Sequence, residues 1–261
     1  MTVAAGTEAG GPSADTRGGA RRAAPDAYRA DNARPRPPYA GTVLLLALDT
    51  ATPAVTVALH DGERVLAHSA QVDARRHGEL LLPAVDRVLR SADRELRQVT
   101  AIVAGVGPGP YTGLRVGLAT AEAFGAALGI PVHGLCTLDG IAYSSGLDTP
   151  FVVATDARRK EVYWARYADS LTRVGGPAVD RPDDIAGEVA GVPAVGVGAR
   201  LYESTFTGVR TDLPEHQSAA ALASLAVGRL AAGTELLPPR PLYLRRPDAQ
   251  VPANYKVVTP R

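Results

Sequence analysis

The chain has 261 residues, with 28 Lys and Arg against 27 Asp and Glu, a balance that leaves no charge excess for a nucleic-acid footprint over the whole surface. Its single cysteine, Cys136, cannot close an internal disulfide, and no Cys/His cluster has zinc-ligand spacing. The longest apolar run, residues 43–48, is far short of the roughly 20 residues of a membrane-spanning helix, so a cytoplasmic protein is expected.

Residues 1–41 carry one branched or large aliphatic residue besides the initiator, Val3, together with 5 Pro and 6 Gly, too little apolar surface to offset the entropy of ordering. They are expected to form a disordered extension, either inert or, with 6 Arg against 3 Asp and 1 Glu, a weak RNA tether. Residues 42–148 form a first lobe. Strands are predicted at 44–49, 54–60 and 63–70, the last two joined at Asp61-Gly62, a hairpin signal. A helix at 76–91, a strand at 101–106, a helix at 112–128, a strand at 130–134 and a helix at 138–145 follow. That order suggests a mixed sheet flanked by helices.

A shift of 107 residues lays residues 44–49 over 151–156, with Asp49 over Asp156, Val55 over Val162, Val57 over Trp164 and Ala58 over Ala165. The match predicts two similar lobes, the second at 149–247, shorter and weaker, with strands at 151–156, 161–167 and 194–197 and an Ala-rich helix at 219–232. Residues 248–261 read as a C-terminal tail.

The chemistry-bearing stretch follows the strand at 101–106. In Gly107-Pro108-Gly109-Pro110-Tyr111-Thr112-Gly113-Leu114-Arg115 the glycines allow close backbone approach, Thr112 is a candidate N-cap, and the free amides of the helix start suit an anion. Either a nucleotide or phosphate sits there, held by Gly107, Gly109, Thr112, Gly113 and Arg115 with Asp49 and Thr50 at the end of the first strand, or the segment is a tight structural turn. It is neither a Walker loop nor a dinucleotide fingerprint. Asp156 is expected to cap its turn or to hold a ligand. Gly113, Gly117, Ala121, Gly125 and Gly129 recur every four residues of a helix, where glycine costs up to about 1 kcal/mol relative to alanine. Either the helix lies tight on its own sheet or a second subunit's helix approaches it; the second reading is taken forward. Cys136 is expected to be buried and inert, His77 to pack or cap, and no catalytic set or metal site is visible.

The strand around Leu46-Ala47-Leu48-Asp49-Thr50, the segment Arg75-Arg76-His77-Gly78-Glu79-Leu80-Leu81-Leu82-Pro83, the Gly107 to Gly117 loop, the segment from Asp156 to Trp164 and the terminal Pro241-Leu242-Tyr243-Leu244-Arg245 together resemble the TsaB family over about residues 43–247. The resemblance implies an actin-like ATPase fold, α/β, of two ribonuclease-H-like lobes. It implies a non-catalytic scaffold of the tRNA threonylcarbamoyladenosine pathway, paired with the catalytic paralogue TsaD, joined by the ATPase TsaE, and meeting tRNA through the complex. It implies no cofactor of the chain's own, with ATP or ADP at the complex interface, and a homodimer when the partner is absent. The paralogue's His-x-x-x-His pair would fall on Gly134 and Leu138 here. The implied partner face uses the first lobe's two helices, with Leu81, Val85, Leu89, Gly113, Gly117, Ala121 and Gly125. The rival readings are an actin-fold small-molecule kinase and a glycoprotease-like peptidase.

Overall fold

The structure is a computed structural model that describes residues 43–245; the expected extension at 1–41 and tail at 248–261 lie outside the described residues. Eighteen elements follow one another among the described residues, and two five-stranded mixed sheets organise them.

The first sheet has the order β3-β2-β1-β4-β5, from β1 (Leu45–Asp49), β2 (Ala54–His60), β3 (Val65–Val72), β4 (Ala101–Gly105) and β5 (Val132–Leu135). β1 pairs antiparallel with β2 and parallel with β4. Every residue of β1, β2 and β4 is buried, so these strands carry apolar side chains on both faces rather than the alternation of a half-exposed sheet. One face, with Leu46, Leu48, Val55, Val57 and Ile102, receives α1 (His77–Ser91) and α2 (Tyr111–Leu128). The other face is smaller, with Ala47, Ala58, Ala101 and Val103, and receives α6 (Ala219–Ala231), itself Ala-rich. Small residues on both sides let that helix and sheet approach closely. α2 ends where Gly129 takes φ +66° as its left-handed cap.

The second sheet repeats the first in the order β8-β7-β6-β9-β10, from β6 (Phe151–Asp156), β7 (Val162–Asp169), β8 (Thr172–Asp180), β9 (Pro193–Val195) and β10 (Gly208–Val209). The 107-residue offset read from the first two strands extends to the third, since it carries Val65 onto Thr172. β8 and β10 were not predicted. β8 is interrupted by Gly175-Gly176-Pro177 and its pairing with β7 slips at three places, a composition tolerated only on an edge strand. Besides β9, the stretch between β8 and β10 holds a 3-10 turn (Pro182–Ile185) and two short helices, α4 (Ala186–Val189) and α5 (Val197–Leu201), which cover one face around Val152, Ala154 and Trp164.

α3 (Thr137–Ser145) closes the other face of the second sheet, placing Leu138, Ile141 and Ala142 on Phe151, Val153 and Tyr167. The last long helix of each half therefore packs on the sheet of the other. Asp139 of α3 anchors the crossover, since it accepts a hydrogen bond from Tyr167 at 2.9 Å and pairs with Arg229 of α6 at 3.2 Å and Arg173 at 3.4 Å.

Candidate functional site

The carboxyl end of β1 meets the Gly-Pro loop, the turn between β6 and β7 and the last described segment of chain. Asp49 closes β1 inward. Its Oδ1 accepts from the Ala51 amide and its Oδ2 from the Thr137 hydroxyl, both at 2.8 Å, while the bare Cα of Gly105 lies against the carboxyl. Burial pushes the carboxyl up to about 6 against the lowering effect of those two bonds. Thr50 donates its hydroxyl to the Gly113 carbonyl at 2.7 Å and accepts from the Gly117 amide at 3.0 Å. Asp49 and Thr50 are 1% and 2% exposed and their side chains tie the strand to α2 and α3, while Thr50, with Thr112 and Gly113 of the expected anion set, also lines the smaller of two cavities described below.

In the loop, Gly107 takes φ +91° and its amide donates to Thr137 at 3.2 Å, while Gly109 lies against the Ala51 carbonyl so closely that no side chain fits. Thr112 is not the cap. α2 starts one residue earlier, with Pro110 at the cap position and no side-chain capping bond. Gly113 is buried, and only Thr112 and Arg115 of the anion set project from α2 into solvent. Arg115 donates to the Tyr111 hydroxyl at 2.6 Å and lies 4.9 Å above that ring.

Asp156 caps its turn, accepting from the Arg158 amide at 2.7 Å and pairing with the Arg158 guanidinium at 3.2 Å. Arg158, Arg159 and Lys160 then hold φ of 62°, 56° and 62°, three successive non-glycine residues in the left-handed region. That backbone is costly, of order 1–3 kcal/mol for each such residue, and outliers of this kind concentrate at functional sites.

The chain returns from α6 through Leu237, whose amide and carbonyl pair with Gly134, and Leu242, whose amide donates to Val106 at 2.8 Å. This run lays Tyr243 on Tyr111, with ring centroids 5.4 Å apart. A cavity of about 490 Å³ opens beside the stack, lined among others by Pro110, Arg158, Tyr163 and Arg245. A second, of about 220 Å³, lies between Thr52, His77, Thr112 and Arg158. His77 donates through Nε2 to the Thr52 carbonyl at 2.8 Å, in keeping with a packing role. Sequence reasoning missed Thr137, Tyr163 and Tyr243 as parts of this region. Tyr243 had a signal, an aromatic two residues before Arg245 in the terminal Pro241 to Arg245 segment, whereas Thr137 had none.

The small-residue stripe is also corrected. A Cβ at Gly113 would stand 2.5 Å from the Thr50 carbonyl oxygen, one at Gly117 2.5 Å from Thr50 Oγ1, and one at Gly125 would overlap the Val132 side chain. Those glycines seat α2 on its own sheet. Ala121, Leu81, Val85 and Leu89 are likewise core residues, so none of the seven side chains expected at a partner face is presented to one. The outward faces carry Leu82 and Tyr111 instead, 54% and 56% exposed. At Gly134 a Cβ would stand 2.5 Å from Val106 Cγ1, and Leu138 is fully buried, so neither position has room for a histidine ligand. Cys136 is buried, as expected, and burial pushes its thiol up to about 12.

A sequence model of the family described as "TsaD: tRNA N6-adenosine threonylcarbamoyltransferase" matches residues 64–237. The solved structure "YeaZ from Pseudomonas aeruginosa" superposes with a TM-score of 0.66 at 32% identity, over 77% of this chain and 100% of that one. An Escherichia coli protein named "tRNA threonylcarbamoyladenosine biosynthesis protein TsaB" is 36% identical over 126 residues, which is 47% of this chain and 54% of that protein. The chain is a TsaB-like member of this family. Its actin-like, ribonuclease-H-like architecture of two sheets is thereby established along with the family. An uncharacterized protein of Mycobacterium tuberculosis is 45% identical over 213 residues, covering 79% of this chain and 93% of the relative. No helix among the described residues of the TsaB-like chain is long and apolar enough to cross a membrane.

Proposed function

We propose that the chain is the scaffold subunit of a complex that forms threonylcarbamoyladenosine in tRNA, acting by pairing with a TsaD-like catalytic subunit, with a TsaE-like ATPase joining the pair. The observation that carries this reading is the match to the whole of the YeaZ structure over 77% of this chain, together with relatives named for that pathway. The geometry supports a supporting role. Asp49 and Thr50, the polar residues at the end of β1, are spent on internal hydrogen bonds, and Cys136 is sealed with its thiol held protonated. An ATP or ADP that the complex uses is then held at the interface between subunits rather than by β1.

The partner face is assigned to the outward sides of α1 and α2, where Leu82 and Tyr111 are exposed. The same face would join two copies when the partner is absent. Reconstitution of tRNA modification with and without this chain tests the reading: modification is expected to require it, and undiminished modification in its absence refutes it. Leu82→Asp is expected to abolish co-purification of the catalytic subunit while leaving the melting temperature unchanged.

A further inference from the structure

We propose that the segment from Leu237 to Arg245 is a latch that joins the start of α2 to the β6–β7 turn, so that a protein docked at Tyr111 is sensed in the second half. Only the identity of that protein, the catalytic subunit, rests on the proposed function.

The segment is fastened to both halves. Leu237 exchanges two backbone hydrogen bonds with Gly134 of β5, and the Leu242 amide donates to the Val106 carbonyl. The Leu242 side chain packs against the core beneath α1 and α2 and also against the core beneath α3. Pro238, Pro239 and Pro241 fix φ between these anchors, so the segment is stiff and a pull at one end is felt at the other. Past Leu242 it makes two contacts, one with each half. Tyr243 lies on Tyr111, the first residue of α2, and two positions on Arg245 reaches the β6–β7 turn.

The turn needs holding. Arg158, Arg159 and Lys160 are all left-handed, a conformation that non-glycine residues leave when nothing opposes them. Inside the turn, the Ala157 amide donates to the Glu161 carbonyl and the Glu161 amide to the Arg158 carbonyl, both at 3.0 Å. Arg245 closes it from outside, where its Nη2 donates to the Arg158 carbonyl at 3.4 Å and to the Glu161 carboxylate. The side chains of Arg245 and Glu161 are 26% and 28% exposed, so water and salt screen this pair less than the ion pairs of the open surface. Arg158 is held in turn by Asp156. Arg158 and Arg245 are thus each spent on a carboxylate, which makes the arrangement a clasp.

Two states follow from this clasp. With the latch seated, Tyr111 is stacked and the turn is strained; with the latch lifted, Tyr111 is bare and the turn is free to leave the left-handed region. A partner whose contact includes the Tyr111–Tyr243 stack binds the seated state better and shifts the population toward it.

Hydrogen exchange of the full chain, followed by mass spectrometry on peptides spanning residues 156–163, tests this. Arg245→Gln is expected to speed exchange there about tenfold, since charge-assisted hydrogen bonds are lost, and Arg245→Lys to keep part of the protection. Tyr111→Ala and Tyr243→Ala are expected to speed it about fivefold from across the cavity, and Tyr243→Phe to leave it unchanged, because the ring and not the hydroxyl makes the stack. Peptides from β1 and β4 and the melting temperature report on the fold and are expected to stay as in the wild type. Unaltered exchange at the turn in Arg245→Gln overturns the proposal. So does a rise in Arg245→Gln that neither tyrosine variant shares, which marks a local ion pair without a link to α2, and so does a rise spread evenly over the second sheet, which marks plain loss of stability. Added catalytic subunit is expected to slow exchange at the turn of the wild type, and to do so less in Tyr243→Ala. A subunit that binds and leaves the turn as it was overturns the sensing while the scaffold reading stands. A subunit that does not bind sinks the scaffold reading, and the variants of the isolated chain still decide the latch.

Discussion

The two halves of the molecule share one strand order and differ in what covers it. In the first half, α1 and α2 span 15 and 18 residues and bury a face rich in Leu, Ile and Val; at the matching places in the second half stand α4 and α5, of 4 and 5 residues. The strand order survives this contraction because it depends on β pairing and on the two exchanged helices, α3 and α6, which each half lends to the other. Helix length is thus the variable part of this duplication and sheet order the fixed part.

Separation of the halves breaks that arrangement most severely. Chains cut at residue 148 each lose one helical cover, and each is expected to be insoluble or unfolded by dichroism when made alone, while co-expression restores a soluble pair. A fragment 43–148 that melts cooperatively by itself would show that α6 is dispensable to the first sheet.

Gly117→Leu comes next. The added side chain meets Thr50 in the seam between α2 and β1, and a loss of about 3 kcal/mol or more is expected in urea unfolding, because the helix must shift outward. The stripe was legible in the sequence as a packing device, but its direction was not: a period of four residues says that something approaches closely and is silent on whether the neighbour is a sheet or a second chain. The strands at 54–60 and 151–156 were read to the residue, since buried apolar runs bounded by turn signals leave little freedom. β8 escaped because its Gly-Gly-Pro centre obeys edge-strand rules, and the short helices because four or five residues carry no period. The site was half legible. The Gly-Pro loop announced itself, whereas the inward turn of Asp49 depends on Thr137, 88 residues away, a contact that only the fold creates.

Asp49 sharpens the comparison at its strand end, since Asp156 at the equivalent place is partly exposed and caps a turn. A carboxyl whose folded pKa is about 6 against an ordinary 3.8 binds its proton more tightly when folded, so stability is greatest below pH 4 as far as this group is concerned and falls as pH rises through 6. The total is about 3 kcal/mol. Urea midpoints of the wild type and Asp49→Asn across pH 4 to 7 are expected to show this slope in the first and not in the second; parallel curves would place the ionisation elsewhere.

The smallest effect contrasts the glycines of α2 with that of α6. A Cβ at Gly228 meets nothing within 4 Å, so Gly228→Ala is expected to stabilise by about 0.5–1 kcal/mol, readable as a small rise in melting temperature. A loss there would mean that α6 needs its glycine for an approach of its own.

The exchange of α3 and α6 has a consequence for biosynthesis. Chains leave the ribosome from the N-terminus, and the alanine-lined face of the first sheet has no cover until Ala219–Ala231 has emerged. The first half, although complete in its strands, stays open on one side through synthesis of all the strands of the second, and its core is closed only when α6 has been made. Closure of the first sheet therefore waits on α6, and a ribosome stalled after β10 is expected to hold a nascent chain that chaperones still recognise.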